Sequence, residues 1–121
     1  MELGYTYSQA MAEAARCLLC HEPPCSLSCP ANTDPGKFIR QLRFQKLKGA
    51  IATMYSNNFR AASCGVLCPT CPLCASGCTA KGLDKPIDIG GLQRFLAEHS
   101  WEIGFNPLKA GEPNGQKVAI V

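Results

Sequence analysis

Nine cysteines in a chain of 121 residues constrain the fold of this sequence more than any other feature does. They form two groups, with the spacings C-x2-C-x4-C-x3-C-P and C-x3-C-x2-C-x2-C-x3-C. The members are Cys17, Cys20, Cys25 and Cys29 in the first group, and Cys64, Cys68, Cys71, Cys74 and Cys78 in the second. Such a density of cysteines is typical either of a disulfide scaffold or of a site for a metal or an iron–sulfur cluster.

The rest of the composition favours the metal or cluster site. The N-terminal segment lacks the basic and apolar regions of a secretory signal, and an odd number of cysteines fits a disulfide framework poorly. No stretch is long and apolar enough to span a membrane, so we expect a cytoplasmic protein. The net charge of +3 is spread along the chain, which argues against a nucleic-acid interface. This modest positive charge would instead offset the negative charge of thiolate-bound clusters.

The spacing within the groups resembles that of iron–sulfur ferredoxins, which use a C-x2-C-x2-C-x3-C-P run. In two-cluster ferredoxins the fourth cysteine of such a run binds the other cluster. By the same logic Cys17, Cys20 and Cys25 would hold one cluster, Cys29 would reach a second, and Cys78 would complete the first. Two clusters need eight ligands, so at least one cysteine is spare. The alternative is zinc, which C-x2-C pairs also bind.

Helical patterns occupy the regions around the cysteines, and we expect an all-α fold with two cysteine-rich loops. Ser8 is the predicted N-cap of a first helix that ends near Leu19 and delivers Cys17 and Cys20 from its last turn. Prolines predict that 21–32 and 64–79 are loops. Further helices are predicted after Thr33-Asp34-Pro35, over 48–55 and after Asp88.

The composition changes at Gly104, which divides the chain into two predicted regions. Residues 1–103 are expected to form the helical domain that binds two 4Fe–4S clusters. Residues 104–121 begin with glycine, proline and asparagine, as linkers do, and end in a short apolar run. That run is typical of the first strand of a further domain. We expect Trp101, just before this boundary, to be a packing anchor.

Three segments together resemble the N-terminal iron–sulfur domain of dihydropyrimidine dehydrogenase. They read R-C-L-L-C-H-E-P-P-C-S-L-S-C-P-A-N-T-D, C-G-V-L-C-P-T-C-P-L-C and P-I-D-I-G-G-L-Q-R-F. The likeness is strongest to the FAD- and iron–sulfur-containing subunit of the bacterial NAD-dependent enzyme, and the small subunit of glutamate synthase is a more distant relative. The resemblance implies an α-helical ferredoxin-type domain with two 4Fe–4S clusters.

The resemblance also implies the ligands of both clusters. The first would be bound by Cys17, Cys20, Cys25 and Cys78, and the second by Cys29, Cys68, Cys74 and Gln93. The glycine pair before Gln93 would give the second cluster room. Cys71 is a departure from the family pattern and is either a free thiol or an alternative ligand. Cys64 is expected to be a buried free thiol.

The resemblance implies an electron-transfer function without catalytic residues in this chain. Electrons from NAD(P)H would enter through FAD in a flavin domain of the parent chain. The apolar run over 117–121 would be the first strand of that FAD-binding domain, so that 104–121 is a linker and a truncated part of it. They would pass singly through the two clusters to an FMN-containing, pyrimidine-reducing subunit. Two alternatives remain at this stage: an electron-input subunit of the glutamate synthase type, and a structural zinc module that mediates subunit contacts. No nucleic-acid or membrane partner is expected.

Overall fold

The computed structural model describes residues 3–120, and these contain helices but no β-strand. The all-α fold class is therefore confirmed. The helices are α1 (Tyr7–Ala15), α2 (Pro24–Leu27), α3 (Pro35–Arg43), α4 (Leu47–Tyr55), α5 (Ala61–Leu67) and α6 (Ile89–Glu102), with a 3-10 turn over Thr79–Gly82. Within this part of the chain no helix has both the length and the apolar character needed to cross a membrane.

The core of the domain is an apolar cluster between α1, α3, α4 and α6. It is built from side chains at helical spacing, because that spacing puts them on one face of each helix. The largest completely buried members include Phe38, Ile39 and Leu42 of α3, Ile51 and Met54 of α4, and Leu92 and Leu96 of α6. Burial of these side chains holds α3, α4 and α6 together behind the cysteine-rich segments.

Local capping signals set the starts of α3 and α6, as predicted. The Asp34 carboxylate accepts a hydrogen bond from the Lys37 backbone at 3.0 Å, and Pro35 occupies the first turn of α3. Asp88 caps α6 in the same way by accepting from the Gly91 backbone at 2.9 Å. Both helices therefore begin at fixed residues.

The prediction for α1 was wrong at both ends. Its N-cap is Thr6, not Ser8, because Thr6 forms a reciprocal capping box with Gln9. The helix ends at Ala15, so Cys17 and Cys20 follow it in irregular backbone and do not lie in its last turn. This places both cysteines in a loop that packs against α3.

The two cysteine-rich segments are also more helical than predicted. Pro24 stands at the start of α2, where a proline is tolerated because the first amide of a helix needs no partner. Cys25 therefore lies on a helix. In the second segment Cys64 lies within α5, and Cys68 follows directly after its last residue.

The glycine pair at the start of α6 lies close to protein atoms, and its role in giving a cluster room stays a prediction. A Cβ atom on Gly90 would lie 3.3 Å from Thr70 and 3.5 Å from the Gly65 carbonyl oxygen. A Cβ on Gly91 would lie 2.8 Å from the Tyr5 ring. Gly65 itself sits against the Arg94 backbone, so glycines on both helices allow α5 and α6 to pack closely.

Residues 105–120 form no helix or strand, and most of them are exposed. Phe105 folds back onto the core, where its backbone donates a hydrogen bond to the Ser100 carbonyl at 2.9 Å. The expectation for Trp101 was wrong, because its side chain is 66% exposed. The domain boundary near 104 and the strand assigned to the end of the chain stay predictions.

Candidate iron–sulfur site

One small cavity is lined by all four cysteines predicted for the first cluster. The four are Cys17, Cys20, Cys25 and Cys78. The other residues that line this cavity are mainly apolar. Because Cys78 comes from the second group, the fold brings the two groups together at this point.

The ionisation of these thiols reflects the same proximity. Burial raises the pKa of Cys25 to about 11, and the neighbouring thiols of Cys78 and Cys17 add to the rise. Burial also raises the pKa of Cys17, to which Cys78 and Cys20 contribute, whereas Arg43 opposes the rise. Thiolates close together in a partly buried site repel each other, so a cationic metal or cluster would relieve the repulsion.

Hydrogen bonds that involve two of the thiols, and one residue with a left-handed backbone, shape the first site. The Ile87 backbone amide donates to Cys78 Sγ at 3.5 Å, and the Cys20 thiol lies 3.4 Å from the Thr79 hydroxyl. Leu19 has a φ of 55°, which is unusual for a residue other than glycine or asparagine. The chain therefore turns sharply between Cys17 and Cys20.

The second group of predicted ligands shows a similar proximity among its thiols. Burial raises the pKa of Cys74 to about 11, with contributions from Cys29 and then Cys68. Burial raises the pKa of Cys68 as well, with contributions from Cys64 and Cys29. The charge of Cys29, from the first segment, therefore acts on both Cys68 and Cys74 of the second segment.

A close contact between the two cysteine-rich segments positions these thiols. A Cβ atom on Gly77 would lie 2.5 Å from Ser28 Oγ and 2.8 Å from the Pro24 carbonyl oxygen. Only a glycine permits this approach. The end of the second segment therefore packs directly against α2 and the residue before Cys29.

Gln93 is buried on α6, and its amide is oriented by α5. The Gln93 side-chain nitrogen donates to the Ala61 carbonyl oxygen at 2.7 Å. A neutral amide binds iron through its oxygen, and the bond to Ala61 engages the nitrogen instead. The role of Gln93 as a ligand stays a prediction.

The two spare cysteines have different surroundings. Cys64 is half-buried rather than buried as expected, and the Asn58 side-chain nitrogen donates to its sulfur at 3.3 Å. Asn58 also donates to Thr33 at 3.2 Å, which fixes its position. Cys71 is exposed, and it is not among the charges that shift the pKa of Cys68 or Cys74.

The donor chemistry of both groups fits iron–sulfur clusters. All nine cysteines are free thiols, and those expected to bind the clusters lie near one another in two sets that each draw on both segments. Thiolates are the usual ligands of 4Fe–4S clusters. Over residues 3–120, no three His, Cys, Asp or Glu side chains meet closely enough to hold a single metal ion.

The sequence analysis did not predict the two arginines that lie next to the first site. Arg43 donates to the Cys17 carbonyl oxygen, and Arg40 donates to the carbonyl oxygens of Leu19 and Cys20. Arg40 and Arg43 are three residues apart on α3, which puts them on one face. The sequence shows only this spacing, which does not indicate that the two side chains bind backbone carbonyl oxygens.

A family model described as dihydropyrimidine dehydrogenase domain II, 4Fe–4S cluster, matches residues 1–105. The chain is 50% identical over 118 residues to the NAD-dependent dihydropyrimidine dehydrogenase subunit PreT of Escherichia coli (strain K12). It is 49% identical over the same length to the PreT homolog of Salmonella typhi. Each alignment covers 98% of this chain but only 29% of the relative, so the chain spans less than a third of these curated proteins.

The family match covers the two cysteine groups, Gln93 and all six helices. Cysteine thiols that converge from both segments are what a 4Fe–4S cluster requires of its domain. This chain belongs to the dihydropyrimidine dehydrogenase domain II family of 4Fe–4S cluster domains.

Proposed function

We propose that this chain is the electron-input relay of a dihydropyrimidine dehydrogenase of the NAD(P)H-dependent type. It would receive electrons from an FAD-containing domain of the same parent protein. It would deliver them to an FMN-containing subunit that reduces a pyrimidine. The names of the relatives favour this assignment over a glutamate synthase subunit or a zinc module.

The observation that carries the proposal is the sorting of the thiols into two sets. The thiols of Cys17, Cys20, Cys25 and Cys78 line one cavity, and the charges of Cys29 and Cys68 both raise the pKa of Cys74. Each set combines cysteines from both segments of the chain. When bound, a 4Fe–4S cluster accepts and releases one electron at a time, which suits a relay between a two-electron flavin and a distant acceptor.

This chain's own residues would bind and orient the clusters. The residues that line the cavity with Cys17 and Cys25 are mainly apolar and would limit the access of water to a bound cluster. The Ile87 amide would donate to a bound Cys78 thiolate, and such bonds to sulfur help to set the potential. Near the second site, the Asn58 side chain donates a hydrogen bond to the Cys64 sulfur. Because this bond engages Cys64, it favours Cys68 over Cys64 as the cluster ligand.

Two serine substitutions in the second segment test the proposed ligand set. Cys74→Ser should remove the second cluster and with it about half of the iron, because a proposed ligand is lost. Cys71→Ser should leave the iron content unchanged, since its thiol is exposed. Iron and labile sulfide, measured on anaerobically purified protein, distinguish the two variants. Equal iron losses in both would contradict the proposed ligands.

A further inference from the structure

Two arginines on α3 bind the backbone of the loop that carries the first two cysteines. Arg43 Nη1 donates to the Cys17 carbonyl oxygen at 2.6 Å. Arg40 Nη2 donates to the Leu19 carbonyl oxygen at 3.2 Å and to the Cys20 carbonyl oxygen at 3.0 Å. Three of the four carbonyl groups from Cys17 to Cys20 are therefore held by guanidinium groups.

This loop has a conformation that needs support. Leu19 adopts a φ of 55°, and a leucine there is disfavoured because its Cβ crowds the backbone. Arg40 binds the carbonyl oxygen of this same residue and that of the next one. Such strain persists only where neighbouring groups hold the chain in place.

The two arginines also bring positive charge to the first site. The Arg43 guanidinium lies 2.6 Å from the Cys17 carbonyl oxygen, which places its charge next to the residue that carries a proposed ligand. Neither Arg40 nor Arg43 is buried, so solvent screens part of this effect. A cation stabilises the more negative, reduced state of a nearby cluster and so raises its reduction potential.

We propose that Arg40 and Arg43 are positioning residues for the first cluster, which hold the Cys17–Cys20 loop ready to bind iron and raise the cluster's reduction potential. The inference rests on the proposed function, because it requires that this loop bind a cluster. It adds two residues that are neither ligands nor part of the cysteine pattern. A purely structural role for both residues, as cations at the C-terminal end of α3, is the competing explanation.

The test compares charge-removing and charge-keeping variants of the full chain, loaded with clusters under anaerobic conditions. The double variant Arg40→Gln, Arg43→Gln removes both charges, and the double variant Arg40→Lys, Arg43→Lys keeps them. Lys37→Gln is the matched control, since it removes one exposed charge from the same helix. The readouts are the rate of iron release to a chelator and the midpoint potential of each cluster at low and high salt.

We expect the glutamine variant to release iron from one cluster several-fold faster than the wild type and to shift its potential downward. The affected cluster should be the one that Cys74→Ser retains, and the potential shift should shrink at high salt. The lysine variant should keep the wild-type potential but release iron faster, because lysine lacks the planar guanidinium. Lys37→Gln should match the wild type in both measurements.

The inference is overturned if the glutamine variant has wild-type potentials and iron release, or if its melting temperature falls while both readouts stay unchanged. A potential shift as large in Lys37→Gln would overturn it too. Should the glutamine variant not fold, the lysine variant decides: faster iron release in a folded protein supports the inference, and unchanged release overturns it. Wild-type protein without iron would instead contradict the proposed function itself.

Discussion

Tyr5 links the segment before α1 to the start of α6. Its hydroxyl donates to Asp88 at 2.8 Å, and Asp88 also caps α6 through the Gly91 amide. Burial, together with the bond to Asp88 and the negative charge there, raises the pKa of Tyr5 from 10.0 to about 12. The folded state thus favours the neutral tyrosine, whose contribution to stability is complete below pH 10 and is lost as the pH rises through 12.

Replacing Tyr5 by phenylalanine tests this link. Tyr5→Phe should lower the free energy of unfolding by about 1 kcal/mol at neutral pH, because one hydrogen bond is lost. It should also flatten the pH dependence between the unfolded pKa of 10.0 and the folded value of about 12. Thermal unfolding of both proteins at a series of pH values measures the difference. Parallel curves throughout that range would show that the Tyr5 hydroxyl does not titrate in this way.

Gln93 decides the charge of the second cluster if it is a ligand. A cluster with three thiolates is less negative than one with four, and the net charge helps to set the potential. We therefore expect Gln93→Cys to lower the potential of the second cluster. Gln116→Cys, which adds a thiol in the exposed C-terminal segment, is the control. A redox titration in which the loaded Gln93→Cys protein has the wild-type potential would contradict the amide ligand.

At the scale of the elements, the contact between α5 and α6 depends on Gly65. A Cβ atom there would lie 2.6 Å from the Arg94 backbone nitrogen and 2.9 Å from its Cα, so one helix must move. Gly65→Ala should destabilise the domain by about 1–3 kcal/mol, as overpacking does. Gly49→Ala in α4 is the matched control, because its nearest neighbour is the flexible Gln41 side chain at 3.4 Å. That variant should be neutral or stabilising by up to about 1 kcal/mol.

Urea denaturation of both glycine variants supplies the comparison. Equal stabilities of Gly65→Ala and Gly49→Ala would contradict the close packing of α5 on α6. Since Cys64 lies on α5 and Cys68 follows it, Gly65→Ala should also reduce the iron that the second site retains. The iron content of the two variants therefore reports on the site as well as on the fold.

The sequence predicted the elements whose signals are local. Asp34 with Pro35 and Asp88 mark the starts of α3 and α6, and the structure confirms both caps. The short helix α2 was missed because its prolines were interpreted as helix breakers, although Pro24 stands where a helix accepts one. Helix α5 was missed because Cys64 was assigned to a loop.

The residues of the site could be predicted only where cluster ligands follow a characteristic spacing along the sequence. The thiols near Cys17 and those near Cys74 follow from their intervals along the chain and from the family resemblance. Arg40 and Arg43 were not predictable, because they bind carbonyl oxygens of a loop 20 to 26 residues away, and any residue supplies a carbonyl. The close approach of Gly77 to α2 likewise depends on tertiary structure alone.

At the scale of the whole molecule, the apolar core and the two cysteine-rich segments of the domain meet at the cysteines. The apolar core is formed mainly by side chains of α1, α3, α4 and α6. Cys74 and Cys78 lie at the edge of that core, and Cys17 and Cys25 pack against it. Cluster binding would therefore join the two cysteine-rich segments to an existing core, and it would add to the stability of the fold.

Iron and acid-labile sulfide in the anaerobically purified chain test this account most directly. We predict about eight iron atoms and about eight sulfides per chain, as two 4Fe–4S clusters require, with a brown colour that dithionite bleaches. A colourless, well-folded protein that contains stoichiometric zinc, or neither iron nor sulfide, would contradict the account.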